Sequence, residues 1–173
     1  GSAIKGPYTF TLDSMTQEGS DVTFEITVEK EASSVSVSRE ATATSGNVGD
    51  EIEITVTISN EGGDSVSVLY SEDLPSEVDL KGTPEITKGT STSSQKSTAA
   101  DVYWKGVLYE DESVTIVYTI VIDEYPSSGS EITLDDITFT YEDDTGEYED
   151  TVDSLTITLT DPLEISFTLN SDE

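Results

Sequence analysis

The chain has no cysteine and no histidine, and that absence removes whole classes of chemistry. Cys–His dyads, Ser-His-Asp triads and thiolate or imidazole metal centres cannot be built without them. Disulfide bonds are excluded too, which leaves the compartment open, because surface proteins of many archaea and bacteria manage without them. Basic residues are nearly as scarce: seven Lys and Arg face 37 Asp and Glu, for a formal charge of −30. A surface of that sign repels phosphate backbones and anionic lipid headgroups, so nucleic acid is not an expected partner. No apolar run approaches the roughly 20 residues that span a bilayer, so no membrane insertion is expected within this stretch. Helical periodicity is missing throughout.

What the chain does have is alternation of period two. Ile52, Ile54, Val56 and Ile58 share one face of a segment whose other face is Glu53, Thr55 and Thr57, and Val114, Ile116, Tyr118, Ile120 and Ile122 repeat the pattern. Half-buried antiparallel strands read this way. Further strands are expected near 8–12, 22–29, 34–39, 65–70, 101–105, 131–141, 147–159 and 163–169, bounded by Gly, Pro, Asn, Asp or Ser clusters. The run Tyr141 to Tyr148 reads as a hairpin turn around Gly146. Residues 81–100, rich in Gly, Ser, Thr and Lys, read as a long surface loop with one short strand at Glu85-Ile86-Thr87 and with Lys81, Lys88 and Lys96 lending it local positive charge. Trp104 is expected in the core, with Tyr103 and Lys105 pointing outward. The fold class is therefore all-β, an immunoglobulin-like antiparallel β-sandwich.

The two ends of the chain echo each other. Tyr8-Thr9-Phe10-Thr11, closing on Ile26-Thr27-Val28, recurs 129 residues later as Ile137-Thr138-Phe139-Thr140, closing on Leu155-Thr156-Ile157. Self-similarity at a fixed spacing is the mark of a tandem array. Three segments follow: residues 1–31, a tag remnant (Gly1-Ser2-Ala3) plus a β-hairpin from the tail of a preceding repeat; residues 32–160, one repeat module; and residues 161–173, a strand that starts a following repeat.

From Val35 to Thr158 the landmarks fall in a recognisable order. Val48-Gly49-Asp50-Glu51 introduces the strand to Ile58, Asn60-Glu61-Gly62 ends it, Asp73-Leu74-Pro75 closes the next, Val102-Tyr103-Trp104 forms another, and Leu108 leads through Glu112-Ser113 into Val114-Thr115-Ile116. In this the chain resembles the conserved-repeat surface domains of large archaeal and bacterial envelope proteins, the group called domain of unknown function eleven, with related S-layer-associated and cell-adhesion repeats. The resemblance implies a sandwich used in tandem, outside the cell, as a stalk or surface-layer element, with no catalytic residues to carry over. Family members place Gly in the turn where this chain has Glu110-Asp111-Glu112, and Asp accepts a left-handed backbone less readily than Gly.

Candidate sites are acidic. Asp143, Asp144, Glu147, Glu149 and Asp150 bracket one hairpin and offer the hard oxygen ligands that calcium prefers, although no EF-hand spacing is present. Carboxylate pairs of the kind glycosidases use abound without a motif around them. Lys30, with Asn60 or Asn170 as acceptor, is a conceivable intramolecular isopeptide pair. The sequence thus reads as a non-enzymatic structural or adhesive repeat of an extracellular or cell-surface protein, whose partners are neighbouring copies of the module or other envelope proteins. The alternatives are a calcium-dependent adhesion or carbohydrate-binding module, and a filament subunit that assembles by strand donation through the apolar residues of 8–28.

Overall fold

Wherever the sequence alternates, the backbone is extended. The computed structural model describes residues 2–5, 8–31, 33–88 and 101–160, and among them it holds strands and no helix. In chain order these are β1 (Ser2–Lys5), β2 (Tyr8–Glu18), β3 (Asp21–Lys30), β4 (Val35–Ala41), β5 (Ser45–Gly46), β6 (Glu51–Asn60), β7 (Val66–Glu72), β8 (Val78–Lys88), β9 (Val102–Leu108), β10 (Ser113–Ile122), β11 (Glu131–Leu134), β12 (Ile137–Glu142), β13 (Glu147–Val152) and β14 (Leu155–Leu159). One four-stranded sheet runs β4-β6-β10-β8, a second runs β13-β12-β7-β9, and a smaller one runs β11-β14-β5. All pairings are antiparallel except β14 with β5. The fold is an all-β antiparallel sandwich, as the alternation predicts.

Its core is the inward half of each alternating run. Ile52, Ile54, Val56 and Ile58 of β6 lie against Val114, Ile116, Ile120 and Ile122 of β10, and they share one cluster with Val66, Val68 and Tyr70 of β7 and Trp104 and Leu108 of β9. Each such side chain contributes roughly 1.5–3 kcal/mol through removal from water. Trp104 is fully buried, with Tyr103 partly and Lys105 wholly outward, as expected. Gly46 is closely packed: a Cβ there would meet Ile122 Cδ1 at 3.1 Å, so a larger residue requires that side chain to shift.

Three sequence expectations need correction. Residues 81–88 are not loop: they continue β8 from Val78 and pair along β10 across two irregularities, so its Thr and Gly decorate a strand edge. The remainder of that expected loop, with Lys96, lies outside the described residues, as does the strand expected at 163–169. The expected strands 131–141 and 147–159 are each broken in two, at Asp135-Asp136 and at Asp153-Ser154. At each break the chain changes sheets, so that β11 and β14 pair with each other while β12 and β13 pair in the neighbouring sheet. Sequence reading also overlooks β1, which pairs with β2.

β1, β2 and β3 form a sheet of their own. A bulge at Asp13, between the pairs Leu12 with Ile26 and Ser14 with Glu25, shifts the register by one residue. That shift decides which face Met15 occupies. With it, Met15 pairs with Phe24 and stays on the side of Leu12; without it, Met15 would turn to the polar side.

Candidate functional site

The most concentrated chemistry in the molecule lies inside the sandwich. In β4 the inward parity Val35, Val37, Ala41 includes Arg39, and in β7 the inward parity Val66, Val68, Tyr70 ends on Glu72. The two side chains are 1% and 2% exposed and meet with Arg39 Nη1 2.7 Å from Glu72 Oε1. The other carboxylate oxygen accepts hydrogen bonds from Tyr70 Oη at 2.9 Å and Tyr118 Oη at 2.7 Å. Arg39 Nη2 donates to the carbonyls of Leu134 (3.1 Å), Asp135 (2.9 Å) and Asp153 (2.8 Å). These carbonyls sit at or beside the two breaks where the chain changes sheets, and Asp136 Oδ1 ties the breaks together by accepting from Ser154 N at 2.6 Å. Arg39 is therefore the clasp at the crossover, with Glu72 supplying its counter-charge.

Burial, followed by the nearby Glu72 carboxylate, pushes both tyrosine hydroxyls well above their usual range. They stay protonated and serve as donors. Leaving Glu72 or Arg39 without its partner would strand a buried charge, which costs about 3–5 kcal/mol. Arg39 and Glu72 escaped the sequence reading, yet the signal was present: each stands at an inward position of its strand, and Arg39 is the only arginine in the chain.

The acidic hairpin is arranged differently from a metal cage. Asp143 Oδ1 turns back on its own loop and accepts from Thr145 N at 2.7 Å, Thr145 Oγ1 at 2.6 Å and Gly146 N at 3.2 Å. The hydrogen bond from Thr145 is the main reason its carboxyl is lowered to about 2. Asp144 reaches across to Lys30, which also contacts Asp64 at 2.8 Å. Glu147, Glu149 and Asp150 are exposed on β13, where Glu149 lies opposite Thr140 and Asp150 opposite Phe139. Among the described residues, no three acidic side chains converge closely enough to hold a metal ion.

Lys30 is paired with two carboxylates, and those hydrogen bonds, Asp144 first, raise its pKa. An ammonium held in that form is no nucleophile, which disfavours isopeptide chemistry. The amide nitrogen of Asn60 is committed to the carbonyls of Asp64 at 2.8 Å and Leu108 at 3.3 Å. Asn170 lies outside the described residues. Lys81 belongs to β8 and pairs with Glu51 at 2.6 Å on an exposed face. An open depression of about 390 Å³ there is framed by Glu51, Glu53, Lys81, Glu85 and Tyr118. It is polar and unenclosed, whereas small-molecule sites are concave and mostly apolar.

One surface stands apart. Tyr8, Phe10, Leu12 and Met15 of β2, with Val22, Phe24, Ile26 and Val28 of β3, occupy one face of the N-terminal sheet and are 38–62% exposed. The opposite face carries Thr, Ser and acidic residues, among them Thr27, which donates to Asp13 at 2.6 Å, and Ser14, which donates to Glu25 at 3.1 Å.

The chain matches no family model and no curated protein. Solved structures do resemble it. The major pilin subunit of Bacillus cereus superposes with a TM-score of 0.50 at 9% identity, over 88% of this chain and 48% of that one. This chain thus spans about half the length of that pilin. A non-cellulosomal cohesin from the hyperthermophilic archaeon Archaeoglobus fulgidus gives 0.42 at 13% identity, over 73% of this chain and 91% of that one. A type I cohesin from Pseudobacteroides cellulosolvens gives 0.37 at 13% identity, over 76% and 98%. At such identities the likeness is one of fold, a β-sandwich.

Proposed function

We propose that this chain is a structural or adhesive repeat module of an extracellular or cell-envelope protein, of the conserved-repeat surface type, and that it performs no catalysis. The observation that carries this reading is where the polar chemistry sits. The clasp of Arg39, Glu72, Tyr70 and Tyr118 is enclosed and joins strands of all three sheets of the body, so it resists their separation and is out of reach of a substrate. The outward positions of β6 and β10 are Thr, Glu and Ser with two valines, which favour the strand and keep the surface wet. A pilin subunit with the same sandwich fold supports the reading.

The test is a thermal melt at fixed ionic strength in EDTA, in millimolar Ca²⁺ and in Mg²⁺. A ligand held only by the native state stabilises it by RT ln(1 + [L]/Kd). The module proposed here melts identically in all three. A calcium-specific rise would transfer the function to the acidic hairpin of Asp143, Asp144, Glu147, Glu149 and Asp150 and make the protein a calcium-dependent adhesin.

A further inference from the structure

The hairpin of β2 and β3 carries a large apolar face that the described fold leaves open to water. Five cross-strand pairs line it, from Tyr8 with Lys30 at the base, through Leu12 with Ile26 in the middle, to Gln17 with Val22 at the tip. Eight of these ten side chains are apolar, and they are 38–62% exposed. None is a carboxylate, although the two strands hold five: Glu18, Asp21, Glu25 and Glu29 lie on the opposite face and Asp13 at the bulge. The bulge keeps the apolar line unbroken, because it holds Met15 opposite Phe24. Together the eight side chains leave on the order of 600 Å² of apolar surface in water, at the upper end of what a monomer shows.

The layout is that of an interface. Apolar and aromatic side chains fill the centre, and the two polar members, Lys30 and Gln17, stand at opposite ends, as the polar rim does around a contact between proteins. Lys30, the one charge on this face, is already engaged by Asp64 at 2.8 Å and by Asp144, both in the sandwich of the same copy.

Reach, area and charge identify the occupant. Thr160 N bonds Gly46 O at 3.0 Å, at the end of the sandwich where β6 begins, whereas Lys30 contacts Asp64, past the end where β6 finishes. Ten strand residues, about 34 Å, separate those ends. Residues 161–169 extend at most about 30 Å, so the apolar run Leu163 to Leu169 cannot cover the face of its own copy. Two such faces opposed bury on the order of 1,200 Å², the lower bound for a stable specific interface. Copies that each carry −30 repel one another across most surfaces, and here they meet without setting carboxylate against carboxylate.

We propose that two copies of this chain associate face to face through the apolar side of β2 and β3, about a two-fold axis beside Leu12 and Ile26. That axis sets Phe10 and Val28 of one copy over Met15 and Phe24 of the other, with the hairpins stacked about 10 Å apart. It also keeps the two Lys30 ammoniums at opposite ends of the contact. The two sandwiches then lie on either side of a joint made of hairpins. This goes beyond the reading as a repeat module, which holds whether or not copies pair.

Sedimentation of the full chain from about 1 to about 200 µM brackets the affinities of interfaces this small. Monomer gives way to dimer across that range. Phe24→Asp, on the apolar face, raises the dissociation constant by on the order of 100-fold, because each copy then buries an unpaired charge. Thr23→Asp, the same change on the polar face, leaves it nearly unchanged, and Trp104 emission confirms that the sandwich stays folded in both variants. Added NaCl strengthens the dimer by screening the two net charges. A further readout uses the absence of cysteine: thiol labelling of Ile26→Cys slows as concentration rises, in step with dimerisation, while that of Thr27→Cys does not.

A single monomeric species across the whole range would overturn the proposal. So would a dimer that Phe24→Asp leaves intact, or one that added salt dissolves, which is held by ion pairs. Loss of the dimer on removing residues 161–173, with Phe24→Asp silent, would assign the contact to that stretch instead. The calcium melt tests the functional reading separately, since the apolar face holds no carboxylate to bind metal.

Discussion

At the scale of single residues, the balance of charge inside the sandwich sets the energetics. Glu72→Gln keeps the shape of the side chain but leaves Arg39 charged, and a buried cation stripped of its partner costs about 3–5 kcal/mol. Urea unfolding of this variant should show a midpoint lowered accordingly; a loss below about 1 kcal/mol would mean that the three carbonyls alone satisfy Arg39. Lys30→Ala removes two surface ion pairs and should leave the unfolding midpoint nearly unchanged by the same measurement. The two buried tyrosines set an alkaline limit. Their pKa is raised in the folded state, so the stability they contribute is intact below the free phenol value near 10 and is lost progressively above it, as the unfolded chain ionises and the folded one does not. Absorbance titration at 295 nm should find Tyr70 and Tyr118 ionising only as the protein unfolds.

At the scale of elements, turns and parity slips carry the information. Asp111 holds φ at 61°, the only non-glycine residue with positive φ among those described, in the turn between β9 and β10. Asp111→Gly should be stabilising by up to about 1 kcal/mol, and Asp111→Val destabilising by more than about 1, because a β-branched residue is far costlier in the left-handed region. Guanidinium unfolding of the pair decides it: a stabilising valine would show the turn has another conformation in solution. The long strands β6 and β10 were legible because nothing interrupts their alternation. The two crossovers were legible in principle and were missed. Inward residues run Ile132, Leu134 and then Ile137, Phe139, and again Val152 and then Leu155, Ile157, so the parity changes from even to odd at each break. The same slip, Leu12 to Met15, marks the bulge at Asp13. β8 was hidden for another reason: Lys81, Gly82 and Thr83 carry no apolar signature, and their pairing is determined by the partner strand β10. The acidic hairpin was read correctly as a turn, but its sequence does not reveal that Asp143 faces its own backbone and Asp144 faces Lys30.

At the scale of the whole molecule, a net charge of −30 on one sandwich and its N-terminal sheet makes self-repulsion a standing cost of the folded state. The Debye length contracts from about 10 Å at 0.1 M salt to about 3 Å at 1 M, so the melting temperature should rise with added NaCl, by roughly 2–4 °C for each kcal/mol of repulsion relieved. Curves that coincide across that range would mean the carboxylates are spaced widely enough to ignore one another. The same scarcity of cations bears on durability. Trypsin-like proteases cut after Lys and Arg, and the chain offers neither from Gly106 to its last residue. The only arginine is sealed in the core at 1% exposure. The clasp that holds the sheets together thus also hides a cleavage point, and a digestive enzyme must wait for the sandwich to open before it can use it.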